Sequence, residues 1–545
     1  MSTTTGYDDV DFDALVIGAG FGGLRAIYEL KKQGLSVKAF EAGTDVGGTW
    51  YWNRYPGART DSESWVYCFS FDDELLQDWD WPERFPKQEH VLEYLRHVAD
   101  RFDLRKHIEF RTRVASAVYD QAGNRWILTT DSGQTVTSRY VITAAGILST
   151  AQRPPFAGLD SFTGEWYQTS SWPKEPVDFT GKRVAVVGTG ATAVQVIPVV
   201  AQSAASLTVF QRTPNYVMPG RNFLLENSQR DEIKRNYKAI WEQTHKQVFA
   251  FPMDPANRTY ADVDSEQLQS VLEAGWEAGG FRYIFETFDD LLVDQRVNDA
   301  AADFVRNKIR AIVKDPETAE LLSPKTHPIG GKRPPLGHFY YETFNKPNVT
   351  LVDSRTYPIE EITPTGIRTT AAEYEFDIII FAVGFDAVTG PLTNMDIRGV
   401  DGVSIRDEWA DGAKSQRGVA VNGFPNLFTI LGPQGPFANM PPIIEKQVEF
   451  IGNVISSAEK SGFDKIEATA EGVSAWSDQC DLILNATLLA QGEADRAWFL
   501  GANIPGKTPS TLFYFGGAAG YFDELNKEAS EEYPDFALTN SASAV

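Results

Sequence analysis

Gly18, Gly20 and Gly23 stand at the spacing Gly-x-Gly-x-x-Gly, and Gly188, Gly190 and Ala193 repeat it with alanine in the third place. A loop of this kind binds phosphate. Its glycines permit a tight turn and a close approach of backbone to a pyrophosphate, and a following helix offers free N–H groups and a positive dipole end. The spacing alone is a weak signal, so the flanks decide. Ala14–Ile17 reads as a buried strand before the first loop, Phe21 lies in it, and Leu24–Lys32 reads as the helix after it. The next strand, Ser36–Phe40, runs into Glu41. An acid at about 20 residues from the first glycine can accept hydrogen bonds from ribose hydroxyls.

Lys182–Val187 reads as the strand before the second loop, Val194–Ala201 as its helix and Leu207–Phe210 as the next strand. The position equivalent to Glu41 holds Gln211, followed by Arg212 and Thr213. A carboxylate there would repel a ribose 2′-phosphate, whereas a guanidinium grips it. The second site is therefore expected to take NADPH rather than NADH, and the first FAD. Thr189, Ala191 and Thr192 in the second loop, and Gln195 on its helix, are assigned to the same nucleotide. The bland alternative for Arg212 is a solvated surface charge.

Two dinucleotide sites on one chain imply hydride transfer from nicotinamide to flavin, after which the protein decides where the electrons go. A dithiol acceptor needs a close cysteine pair. Cys68 and Cys480 are the only cysteines and lie in no CxxC, which leaves oxygen or an external acceptor. The six histidines form no ligand spacing. His90 and His97 could share a helix face, but a solvated surface is the preferred reading, and no metal is expected.

Three further segments carry a resemblance. Gly47 to Asp61 reads GGTWYWNRYPGARTD, Phe162 to Pro173 reads FTGEWYQTSSWP, and Gly331-Lys332-Arg333-Pro334 precedes Tyr340-Tyr341-Glu342-Thr343. Together they resemble the type I Baeyer–Villiger monooxygenases, in their cyclohexanone monooxygenase-like branch, from about residue 12 to about residue 520. The one departure is Gln168, where the family has a histidine associated with its linker region. Glutamine keeps hydrogen-bonding capacity but takes no charge. The resemblance implies that NADPH reduces the flavin, that reduced flavin and O2 give a C4a-peroxyflavin, and that this attacks a ketone, yielding an ester or a lactone.

By the same resemblance Arg333 is the catalytic cation and Asp61 the carboxylate that positions it beside the flavin. A negatively charged adduct needs a fixed positive charge in a dry site, and arginine keeps its charge there. Lys332 would join Arg212 and Thr213 at the 2′-phosphate, and Trp498 would contact the nicotinamide ribose. Gly48, Thr49, Trp50, Tyr67, Val114 and Met440 are placed around the flavin nucleotide. The structural alternatives are a turn residue for Asp61 and core packing for Trp498.

These residues need an α/β scaffold: two Rossmann-like dinucleotide-binding domains with a helical insertion. The expected organisation is an FAD-binding domain over 1–145 and 381–545, a linker at 146–151, an NADP-binding domain over 152–223 and 331–380, and the insertion at 224–330. In the insertion Ile233, Tyr237, Ile240 and Trp241, and again Val305, Ile309, Ile312 and Val313, repeat at helical spacing. Tyr140–Thr143 and Phe376–Phe381 read as closing strands, and Leu431 to Pro436 as a glycine/proline loop beside the flavin. The last 20 or so residues are expected to fray.

The 545 residues carry 42% apolar and 23% charged residues and a formal charge of −24. Such an acidic surface excludes nucleic acid and anionic membrane as partners. No apolar run is long enough to span a bilayer, and Met1 to Phe12 lacks the basic and apolar stretches of a signal peptide. A cytoplasmic monomer or weak oligomer is expected, its partners a small-molecule ketone and O2. Two rival readings stand beside this one: an N- or S-oxygenating flavin monooxygenase, and an NADPH oxidase or redox-sensing flavoprotein.

Overall fold

The computed structural model describes residues 10–541 and shows an α/β protein with two parallel-strand layers. The first sheet is built on β1 (Phe12–Ile17), β2 (Val37–Glu41), β3 (Ile108–Phe110), β4 (Val114–Asp120), β5 (Arg125–Thr130) and β6 (Thr135–Thr143). Its spatial order is β4-β5-β6-β1-β2-β3, with Asp396–Arg398 beside β4 and Leu427–Thr429 beside β6. β1 pairs in parallel with β2 and β6, whereas β4, β5 and β6 form an antiparallel meander. The apolar run Ala14–Ile17 is buried on both faces, as a central parallel strand requires.

The second sheet is parallel throughout. Its strands are β7 (Glu165–Gln168), β8 (Arg183–Val187), β9 (Ser206–Gln211), β10 (Val349–Asp353) and β11 (Ile378–Phe381), in the order β10-β9-β8-β11-β7. In both sheets the chain leaves the strand before the glycine loop in one direction and returns on the other side. The loop thus sits outside the carboxyl end of a strand at a topological switch point, where open α/β sheets bind ligands.

Helix α1 (Phe21–Lys32) follows the first loop and α2 (Ala191–Val200) the second. Both begin three residues earlier than the apolar pattern suggests, because the glycine spacing runs into the first helical turn. The helices of the 224–330 interval are α3 (Asn227–Lys246), α4 (Ser265–Ala278), α5 (Arg282–Phe285), α6 (Gln295–Ile312) and the short helix Pro316–Leu322. They do not form one body. Tyr237 and Trp241 of α3 are buried in the core of the first sheet, while Leu272, Trp276, Tyr283, Val305 and Ile309 join the core of the second.

The fraying expected at the C-terminus is corrected for residues 526–541. Ala518–Ser530 is helical, and Phe536–Thr539 pairs antiparallel with Lys465–Ala468. Phe536 is buried against Phe450 and Tyr533, and Asp535 meets Arg417 at 2.7 Å. The small, polar composition hid one apolar anchor, Phe536, and one acid with a buried partner. Residues 1–9 and 542–545 lie outside the described part, and with them most of the acidic N-terminal stretch. Among the described residues no helix is long and apolar enough to cross a membrane.

Candidate active site

The two glycine loops share one construction. Gly18 and Gly188 have φ of +105° and +117°, and a Cβ on either would stand 2.5 Å from a backbone carbonyl, that of Ala144 or Ala382. Only glycine fits both the conformation and the space. Gly20 and Gly190 precede α1 and α2, and neither helix has a side-chain cap on its first turn. A Cβ at Gly190 would meet nothing within 4 Å, so the second loop faces open space. Uncapped N–H groups beside that space suit a pyrophosphate. Ala193 is buried in the core, and Thr189 donates to the Thr213 carbonyl at 3.0 Å, tying the loop to the end of β9.

Glu41 at the end of β2 accepts from the Ala19 N–H at 2.9 Å and the Gly43 N–H at 2.7 Å. Burial pushes its carboxyl upward in pKa, and the two N–H donors oppose that shift. A carboxylate has acceptor sites left after two bonds, so Glu41 can still receive ribose hydroxyls. Gly48 lies against Gly20 and opens the short helix Thr49–Trp52. The Trp50 indole donates to the Tyr67 hydroxyl at 3.3 Å, and Tyr67 packs edge-on to Phe21. Burial raises the Tyr67 phenol to about 12, so it serves as a neutral hydroxyl. Val114 opens β4 beside Arg113, the cation that acts on Glu41. Met440 opens the helix Met440–Lys460. The preceding Asn439 accepts from Ser62 and donates to the Val66 carbonyl, which joins this helix to the stretch just past Asp61.

Between the loops, Arg333 Nη1 lies 2.8 Å from Asp61 Oδ2. The Asp61 side chain is 9% exposed, and its other oxygen, Oδ1, is buried without a hydrogen-bond partner. Burial holds this carboxyl above its ordinary value although Arg333 and Arg59 pull it down. Asn215 donates to the Arg333 carbonyl at 2.9 Å, fixing its backbone, and the Phe281 ring lies 5.6 Å from the guanidinium. Arg333 remains partly exposed, a fixed cation with donors to spare. Tyr55, half-buried beside this pair, donates to Gln195 at 2.8 Å. Gln195 also accepts from the Arg59 N–H at 3.4 Å and donates to the Arg59 carbonyl at 3.1 Å. The Gln195 amide, assigned from the sequence to the nucleotide, is thus engaged with the chain itself.

A second cluster lies past the carboxyl ends of β9 and β10. Arg212 follows β9, and Gln211, standing where the first domain has Glu41, turns its amide onto the Leu321 carbonyl at 2.6 Å. Lys332 Nζ donates to the Asp495 carbonyl at 2.9 Å. Arg355 binds the Asp495 carboxylate and the Thr213 hydroxyl, both at 3.0 Å. Arg496 also acts on Arg212. Burial, reinforced by Arg212, brings Lys332 down to about 8, and His327, 3.6 Å from Asp495, falls to about 4. Four cations around one acid repel one another unless an anion joins them. Arg212 and Arg496 have no ion-pair partner among the described residues. The cluster therefore fits a 2′-phosphate.

Sequence reasoning singled out Arg212, Thr213 and Lys332 but missed Arg355, Arg496 and Asp495. Arg355 could have been found: it stands just beyond β10, the parallel neighbour of β9, and parallel strands end together. Trp498, two residues past Arg496, is partly buried against Phe437 and Phe513. Gln168 ends β7 and donates to the Gln152 carbonyl at 2.8 Å, in the stretch between the sheets.

A flavin-binding monooxygenase-like family model matches residues 13–224. The chain is 45% identical to a Baeyer–Villiger monooxygenase of Pseudooceanicola batsensis, with 98% of each chain covered. It is 42% identical to a phenazine N-monooxygenase of Lysobacter antibioticus, with 99% of each covered. Among solved structures it superposes on OTEMO in complex with FAD and NADP with a TM-score of 0.94 at 40% identity, covering 97% of this chain and all of that one.

Proposed function

The chain belongs to the Baeyer–Villiger monooxygenase family, and on that premise we propose that it uses FAD, NADPH and O2 to insert one oxygen atom beside a ketone carbonyl, forming an ester or a lactone. The observation that carries this reading is the Arg333–Asp61 pair between the two dinucleotide loops, a partly exposed guanidinium held by a largely buried acid.

Bound flavin, reduced by NADPH, supplies the electrons that activate oxygen. The chain's own residues do the rest. The first loop and Glu41 hold FAD over 10–145 and 381–541. The second loop holds NADPH over 152–223 and 331–380, its 2′-phosphate on Arg212, Lys332, Arg355 and Arg496. Arg333 offers fixed donors where negative charge grows on the ketone oxygen, which favours the transition state over the ground state. Asp61 orients the guanidinium. Phe281 covers one face of it and keeps water from that side, so the charge acts in a poorly screened site. The setting we infer is a reducing cytoplasm, since both cysteines are free and buried.

A second reading, oxygenation at nitrogen, is supported by the phenazine N-monooxygenase, whose identity to this chain is close to that of the Baeyer–Villiger relative. One experiment separates them. The purified protein, loaded with FAD, is given NADPH, O2 and a panel of cyclic, linear and aryl ketones, with phenazines alongside, and products are identified by mass spectrometry. Products one oxygen heavier than a ketone that hydrolyse to an acid and an alcohol establish the first reading. Stable N-oxides alone would replace it with the second. Hydrogen peroxide alone, with every substrate, would favour an NADPH oxidase or redox sensor.

A further inference from the structure

We propose that Glu63 and Arg84 form a positioning anchor for Arg333, holding both of its supports at once; the assignment rests on the functional reading above. Glu63 and Arg84 are buried, their side chains 1% and 6% exposed, and neither touches Arg333 in the contacts described above. Both Nε and Nη2 of Arg84 donate to one oxygen of Glu63, at 3.0 and 2.8 Å. The Ser64 N–H donates to the Arg84 carbonyl at 2.7 Å, so the two backbones are locked as well.

From this pair two arms run to the active site. Glu63 is two residues beyond Asp61, so the acid that grips Arg333 is carried by the same short stretch. The other arm is the turn between α4 and α5. Arg84 Nη1 donates at 3.0 Å to the carbonyl of Ala278, the last residue of α4. It thereby caps an otherwise unpaired helix carbonyl with a cation at the negative end of the dipole. Gly279 and Gly280 turn back on positive φ, and a Cβ on Gly280 would lie 3.3 Å from Arg84 Nη2, so the turn wraps directly over this guanidinium. The next residue is Phe281, the ring beside Arg333. Arg282, following it, reaches the same Glu63 oxygen at 3.4 Å. One carboxylate and one guanidinium thus fix the residue that pairs with Arg333 and the residue that covers its face.

Stability does not explain such a pair well. Replacing a buried ion pair by apolar groups of similar volume is often neutral or stabilising, whereas geometry at a reacting centre is unforgiving. The anchor therefore acts on the position of Arg333.

The test uses the full-length holoenzyme and the variants Glu63→Gln, Arg84→Lys and the double variant Glu63→Leu/Arg84→Met, which removes both charges and keeps the fold accessible. Two readouts are taken. The first compares the rate of flavin reduction by NADPH with the fraction of consumed NADPH recovered as oxygenated product. The second is hydrogen–deuterium exchange over residues 276–286 and 325–337. We expect FAD content and reduction to stay within about threefold of wild type while the product fraction falls about tenfold, as a displacement of the order of 1 Å at the chemistry would cause. Exchange should rise in those two segments and stay unchanged in the strands of both sheets. Equal loss of reduction and product, exchange raised throughout, or wild-type exchange in both segments would each overturn the anchor. A wild-type enzyme that makes no oxygenated product would overturn the functional reading instead, and the exchange result would still decide whether Glu63 and Arg84 hold the two arms.

Discussion

Arg333 has an acid 2.8 Å away and a ring at its face, and each contact constrains a different freedom of the guanidinium. Removing the side chain should leave the nucleotide loops untouched. Arg333→Ala is expected to bind FAD and be reduced by NADPH, and to turn over NADPH to hydrogen peroxide with at least about a hundredfold less oxygenated product, the loss typical of one removed oxyanion donor. Ester formation at the wild-type rate in that variant would remove Arg333 from the chemistry. Lys332 yields a pH prediction. Its ammonium falls from 10.5 in the unfolded chain to about 8 in the fold. Between those values only the unfolded chain holds the proton, so stability rises with pH across that window. Phosphate affinity runs the other way, because the folded site loses a charge. The ratio of kcat/KM for NADPH to that for NADH is expected to drop about tenfold as pH passes through 8, and Lys332→Met should flatten the profile. At this scale the positions of Gly18 and Glu41 were legible in the spacing of strand, loop and helix, whereas Asp61 and Arg333 were pointed to only by the family resemblance of the segments that carry them. Arg496 and Asp495 were not, because nothing in their own stretch marks them, and Arg355 was reachable only through the pairing of β10 with β9.

Elements were legible in proportion to their apolar content. The strands before both glycine loops are built on apolar runs, end where expected at Ile17 and Val187, and start within two residues of their expected bounds. The strand Phe536–Thr539 is not such a run, and its place depends on partners far away in sequence: the edge of Lys465–Ala468 and the guanidinium of Arg417. Arg417 is itself held at φ +49° and shares its charge between Glu528 at 3.1 Å and Asp535. Truncation after Tyr533 removes Asp535, exposes the surface that Phe536 covers and leaves Arg417 with fewer partners. We expect it to lower unfolding stability by about 2–4 kcal/mol, from the lost apolar burial and the weakened buried pair. Urea unfolding monitored by tryptophan fluorescence measures this, and an unchanged midpoint would return the C-terminus to the fraying expected from its composition.

At the scale of the whole molecule, two sheets with their own cores must be held so that two nucleotides meet. Periodicity says nothing about that docking, which is why the 224–330 helices, similar in pattern, divide between the two cores. Polar contacts cross the divide at several places, among them Arg333–Asp61, Lys332–Asp495 and Arg84–Ala278. Gln195, from α2 on the second sheet, clamps both backbone groups of Arg59 and accepts the Tyr55 hydroxyl, all in the segment that ends at Asp61. Gly57 makes the approach possible: its φ is +85°, and a Cβ there would stand 2.4 Å from the Gln195 carbonyl. The clamp ties the position of the second loop to that of Asp61, with the Tyr55 ring packed against the second core. Gln195→Ala would take the acceptor from the half-buried Tyr55 hydroxyl and leave two backbone groups of Arg59 unpaired, at about 1–3 kcal/mol for each group that finds no other partner or water. The loss falls on the docking of the sheets, so FAD retention should hold while the product formed per NADPH drops severalfold. Gln195→Glu keeps an acceptor for Tyr55 but gives up the donor to the Arg59 carbonyl and brings a second acid toward Asp61, which should lower product yield further. If both variants convert NADPH to product as the wild type does, the remaining contacts between the sheets suffice to hold them and the clamp is only a consequence of their packing.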